Sequence, residues 1–362
     1  MAKLSLKNVF VNYFGARDSL HAFSHTFCTG LNVVYAEEGG GKTTLLKTIA
    51  GLVNINSGEI TFNGEDYSKV KLKDKGIAML FDDFALRPRR SVEFNLGLPL
   101  RLRKFAPEVV KERIAATLTE FGLSPNILNA AVFRLSEEYK ARIALARVFI
   151  RESEIILIDN PFSRLAPDVR EELFFLLLAR ARRSNAIVIY ATDSSREAEQ
   201  TVAKTAVLSF GYLTDCGYPD EFRRAPGTVL TAEKFIKFSS SYNIELDESG
   251  GFSLLKERFV LSERQFFNLI GDNYLGKTLI AVVPLDAVRQ GGKMRGTVQN
   301  LIGATEGRIA IIEVNGETIN MRFNEPISIG DIINIDIDAD KIFLFDAANE
   351  KAVLKYENPI DA

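Results

Sequence analysis

Nine residues, Ala36-Glu37-Glu38-Gly39-Gly40-Gly41-Lys42-Thr43-Thr44, stand between an apolar run at 31–35 and a helix-forming run at 43–50. Strand, glycine-rich loop and helix in that order confine the chain to few folds, because small residues let successive backbone N–H groups turn inward at a helix N-terminus. That arrangement binds a polyphosphate. Gly39, Gly40 and Gly41 would give the cradle, Lys42 would reach the outer phosphates, Thr43 would offer a hydroxyl to magnesium, and Thr44 continues the first helical turn. The pattern GxxxxGK[ST] holds from Gly41 onward, while its first glycine is Ala36. The competing reading is a glycine-rich helix start with no ligand.

The rest of the chain has the size and pattern such a loop needs. At 362 residues and 46% hydrophobic it can build two domains with sizeable cores. A net charge of -2 gives no global reason to expect nucleic acid, and the basic clusters at 87–90 and 101–104 read as solvated faces or a protein contact. The apolar stretches at 143–150 and 173–179 fall well short of the ~20 residues needed to cross a bilayer. No signal-peptide pattern precedes Val9. Cys28 and Cys216 match no metal or redox spacing and suit a reducing compartment, and His21 and His25 both precede the loop, which argues against a histidine metal site.

Strands are expected at 4–9, 31–35, 59–62, 77–81, 155–158, 186–191 and 206–209, with helices at 107–121, 137–151 and 167–183. This alternation is an α/β domain. Ser239-Ser240-Ser241 reads as a linker, after which short alternating strands dominate: 308–314, an Asn315-Gly316 turn, 318–323, 332–337 and 341–345. The expected organisation is therefore a nucleotide-binding domain over 1–237, with a helical subdomain near 85–150, and a small β-barrel domain over 238–362.

Taken together, the loop, Ser57-Gly58-Glu59-Ile60, Leu135-Ser136, the strand ending in Asp159 and the β tail resemble the ATP-binding subunit of an ABC importer, in its maltose or polyol subgroup. The resemblance runs over nearly the whole chain. It implies an α/β P-loop fold followed by an OB-like domain of the TOBE or MOP type, with ATP and Mg2+ as cofactors. It also implies permease partners, indirect work with a solute-binding protein, and a peripheral place on the cytoplasmic face of the membrane. Tyr13 would stack on the adenine or pack in the core; Asp159 would hold magnesium through water or cap the loop.

The departures from that family fall on its chemistry. Asn160 stands where the family has the glutamate that polarises the attacking water, and Asp193 where a histidine meets the terminal phosphate. Asparagine is no general base near neutral pH, and loss of one costs about 10²- to 10⁴-fold in rate. Asp193 would repel the phosphate unless protonated or bridged by metal. Asp82 replaces a metal-sensing glutamine, either as a tentative ligand or as an exposed loop acid, and Ala166 replaces an aspartate that contacts the partner. The signature LSGGQ reads Leu135-Ser136-Glu137-Glu138-Tyr139, so Ser136, Glu137 and Glu138 would meet a partner's nucleotide with added negative charge. Three functions follow: a weakly or non-hydrolysing subunit paired with a second ATPase, a competent importer ATPase using substitute acids, or a soluble regulator or scaffold.

Overall fold

The computed structural model describes residues 1–12, 20–71, 75–263, 265–266, 269, 274–304 and 307–353. Tyr13 lies outside them. Two compact units divide between Tyr218 and Pro219.

The first unit opens with strands β1 (Lys3–Val11), β2 (Leu20–Cys28) and β3 (Gly30–Ala36), then α1 (Lys42–Ala50), β4 (Ser57–Phe62), β5 (Glu65–Asp66) and β6 (Ile77–Leu80). Three helices follow, α2 (Val92–Leu102), α3 (Pro107–Glu120) and α4 (Glu137–Phe149), in the stretch expected to form a helical subdomain. The unit ends with β7 (Ile155–Asp159), α5 (Pro167–Arg183), β8 (Ile187–Thr192), α6 (Ser195–Thr201), β9 (Thr205–Ser209) and β10 (Tyr212–Gly217).

These strands make an antiparallel sheet of order β2-β1-β4-β5 and a six-stranded sheet of order β10-β9-β3-β8-β7-β6. Within the second sheet β3, β6, β7, β8 and β9 run parallel, and such strands are apolar on both faces because both are covered. Strand β7 shows why. Ile155 and Leu157 join the core containing Leu45, Leu46, Ile49, Phe23 and Phe27, whereas Ile156 and Ile158 join the core formed with Ile143, Leu173, Leu177 and Val188. All four are buried, so the strand is locked in register and its last residue, Asp159, emerges beside α1.

The second unit holds α7 (Pro219–Arg224), α8 (Val229–Phe235) and strands β11 (Ser240–Glu245), β12 (Gly251–Leu254), β13 (Glu257–Val260), β14 (Thr278–Val283), β15 (Val288–Ala304), β16 (Gly307–Val314), β17 (Glu317–Phe323), β18 (Ile332–Ile337) and β19 (Phe343–Asp346). They form sheets of order β11-β14-β19 and β17-β16-β15-β18 and the hairpin β12-β13, an OB-like β region. The β16-β17 hairpin turns at Asn315-Gly316, with φ 54° and 92°, as the dipeptide predicts.

Two boundaries differ from those read in the sequence. The division precedes residue 237 because Val229, Ala232 and Ile236 pack with Val282, Phe343 and Phe345, and the Val229 N–H donates to the Glu350 carbonyl at 3.0 Å. The serine run is also no linker: Ser240 and Ser241 begin β11 and pair with Val283 and Val282, so sheet pairing overrides a loop-like composition.

Candidate nucleotide-binding site

Strand β3 delivers the chain into the loop as a buried run, and α1 begins at Lys42 with Gly41 as its N-cap at φ 100°, a left-handed conformation that favours glycine. Gly40 has a different reason to lack a side chain. A Cβ there would stand 2.7 Å from the Ala36 Cβ and 3.1 Å from the Glu37 carbonyl oxygen. Lys42, only 8% exposed, folds over the loop and donates from Nζ to the Ala36 and Glu37 carbonyls at 2.6 and 2.8 Å. Burial pulls its ammonium below the ordinary pKa, against the opposing pull of Asp193 and Asp159. The cation is thus spent on backbone oxygens that a phosphate can replace.

Thr43 Oγ1 donates to Asp159 Oδ1 at 3.1 Å, and burial raises the Asp159 carboxyl above its usual range. A hydroxyl and a carboxylate are hard oxygen donors and fit magnesium, which takes one or two protein ligands and completes its shell with phosphate and water. Among the described residues no group of three or more His, Cys, Asp or Glu side chains gathers for a metal. Asp82 is held instead by Arg164, whose Nη2 lies 3.3 Å from Asp82 Oδ2 at the surface.

Asn160 follows β7 with φ 40°, a left-handed position that asparagine tolerates, and its Nδ2 donates to Asp193 Oδ2 at 2.9 Å. The residues expected to stand for the base and for the phosphate-contacting histidine are bonded to each other. Asp193 is also 3.7 Å from Arg170 Nη2, and Arg170 Nε donates to Glu197 Oε1 at 2.6 Å. Glu197, 5% exposed, accepts further bonds from Tyr190 Oη and Thr192 Oγ1 at 2.6 and 2.5 Å. Arg170 and Glu197 escaped the sequence reading. They are separated by most of α5 and all of β8, and no local motif announces a pair joining helix to helix across such a distance.

In the signature segment Ser136 caps α4, its Oγ accepting from the Tyr139 N–H at 3.4 Å. Glu137 pairs with Lys140 at 2.7 Å, and Glu138 with Arg142 at 3.4 Å, so both acids suit the helix start and are engaged within the chain. Their carboxylates still add negative charge to this exposed helix start.

A phosphate loop after β3 of a parallel sheet, a carboxylate at the end of β7 two strands away and helices α2 to α4 between them in the chain define a P-loop nucleotide-binding protein. Residues 32–163 match the ABC transporter family. Over 98% of this chain and 96% of the relative, it is 27% identical to the sn-glycerol-3-phosphate import ATP-binding protein of Chromobacterium violaceum. A protein of the same name from Burkholderia thailandensis is 32% identical over 64% of each chain. The dimeric ABC transporter cassette MJ0796 superposes with TM-score 0.54 at 22% identity, covering 59% of this chain and 98% of its own. cbiO1 from Clostridium perfringens, part of the ABC transporter complex cbiONQ, gives TM-score 0.55 at 21% identity, covering 64% and 92%. Residues 32–163 are thus an ABC transporter ATP-binding domain, and the similarity to an import ATP-binding protein runs over nearly the whole chain.

Proposed function

We propose that this chain is the ATP-binding subunit of an importer for a sugar or polyol class of solute, a weakly or non-hydrolysing half-site that works beside a second, different ATPase. The observation that carries the proposal is the Asn160–Asp193 hydrogen bond: the two positions that should activate water and sense the terminal phosphate hold each other instead. Gly39, Gly40, Gly41, Lys42, Thr43 and Thr44 would hold ATP, and Thr43 with Asp159 would hold Mg2+, which when bound neutralises phosphate charge. Lys42 would exchange the Ala36 and Glu37 carbonyls for phosphate oxygens. Asn160 can orient a water but cannot take its proton.

ABC ATPases form each composite site from one subunit's loop and the other's signature, so a homodimer would be altered on both sides of both sites. An intact partner gives each site one sound half. The chain would sit on the cytoplasmic face of the membrane against permease subunits, with the 82–100 region as the coupling face, and reach a solute-binding protein only through them. Among the described residues no helix is long and apolar enough to cross a membrane, which fits a peripheral subunit. The native complex, purified from membranes through a tag on this chain, should contain permeases and a distinct ATP-binding subunit. A transporter whose only ATPases are two copies of this chain would sink the paired reading, and a chain recovered without permeases would favour the soluble regulator.

A further inference from the structure

We propose that Arg170 is a positioning residue for the terminal phosphate, neutralising Asp193 so that the loop accepts a nucleoside triphosphate despite a carboxylate in the phosphate-sensing position. The inference rests on the reading of this site as an ATP-holding one. Asp193 follows β8, next to Asn160 at the end of β7, and its charge is felt by both Lys42 and Tyr35 at the phosphate loop. A second anion brought to that loop meets an unfavourable interaction unless a cation takes up the Asp193 charge.

Arg170 is placed to do so. Its guanidinium is anchored by Nε on the buried Glu197, which Tyr190 and Thr192 hold from the other side. Its Nη2 is buried, makes no hydrogen bond, and faces Asp193 Oδ1 at 3.7 Å, just beyond bonding distance. Asn160 Oδ1 is likewise buried with no partner. Asp193 thus hangs between a neutral amide already bonded to it and a charged donor with a vacant hydrogen. An arriving phosphate repels the carboxylate, and a short movement toward Arg170 tightens the existing 3.7 Å ion pair into a hydrogen-bonded one. The rigid fork of arginine can hold Glu197 and Asp193 together, which a lysine ammonium does less well.

The test is the ratio of ATP to ADP affinity, measured by calorimetry with Mg2+ on the purified chain. Arg170→Met should weaken ATP by at least about tenfold, the scale of a close charge pair, with ADP changed far less. Asp193→Asn added to Arg170→Met should restore the ratio. Because Arg170→Met leaves Glu197 buried without its cation, the same pair of measurements is made on Arg170→Met with Glu197→Gln, which removes both partners. Equal loss of ATP and ADP, or no restoration by Asp193→Asn, overturns the role of Arg170 while leaving ATP binding intact. A wild-type chain that binds neither nucleotide overturns the ATP-holding reading itself, and the inference with it.

Discussion

Gly40→Ala should damage the phosphate loop for a reason particular to this chain. In the motif GxxxxGK[ST] the residue before the second glycine is free to vary, but here the first glycine is Ala36, and its methyl occupies the space a residue-40 side chain would use. The added Cβ would lie 2.7 Å from the Ala36 Cβ, where carbon atoms ordinarily rest about 3.5–4.0 Å apart, so the loop must shift by roughly 1 Å. Overpacking of that kind costs about 1–3 kcal/mol. At roughly 2–4 °C per kcal/mol for a unit of this size, the melting temperature should fall by about 2–12 °C. ATP affinity should fall too, because the displaced amides form the cradle. Ala36→Gly in the same chain removes the principal clash and should recover most of both losses; the Glu37 carbonyl at 3.1 Å leaves a remainder. Scanning calorimetry and ATP titration of wild type, Gly40→Ala and Ala36→Gly/Gly40→Ala decide the matter. A Gly40→Ala protein as stable and as tight as wild type, or a double variant no better than the single one, refutes the steric argument.

Asn160→Glu with Asp193→His should raise ATP turnover about 10²-fold, the lower end of the ~10²–10⁴ attributed to a general base, when measured beside a partner with an intact signature; unchanged turnover would place the defect elsewhere. His25 supplies a pH test. Burial, with Lys204 adding to it, holds its pKa down from 6.5 to about 4, so the folded chain keeps it neutral while the unfolded chain takes up a proton. Stability should be full above pH 6.5 and decline as pH falls toward 4. His25→Phe, next to Phe27 at 4.6 Å, should flatten that decline in melting temperature, and an identical slope in wild type and variant would show that His25 is not its source.

What the sequence revealed follows from how local each signal is. The loop, α1 and Asp159 were readable because their positions are fixed by one continuous strand–loop–helix run and by the apolar run Ile155 to Ile158 that leads into Asp159 at the end of β7. Asn160 and Asp193 were readable as substitutions within motifs, yet not as bonded neighbours, since 33 residues separate them and only the parallel pairing of β7 with β8 brings them together. Arg170 gave no sign at all: on α5 it is one of several charged residues, and its meaning comes from Glu197 on another helix. The serine run misled because composition describes a segment's solubility, while β14 decided its conformation.

The central claim is that this loop holds ATP while the surrounding residues no longer hydrolyse it in the ordinary way. The most direct measurement is ATP binding and ATP turnover on one sample of the purified chain, with Lys42→Ala as the control for the loop. The account predicts saturable, Mg2+-dependent binding that Lys42→Ala weakens by about 10- to 100-fold, the worth of a charge-assisted hydrogen bond, alongside turnover about 10²- to 10⁴-fold below that of an intact ABC ATPase. Turnover by the chain alone at the rate of an intact family member would contradict it.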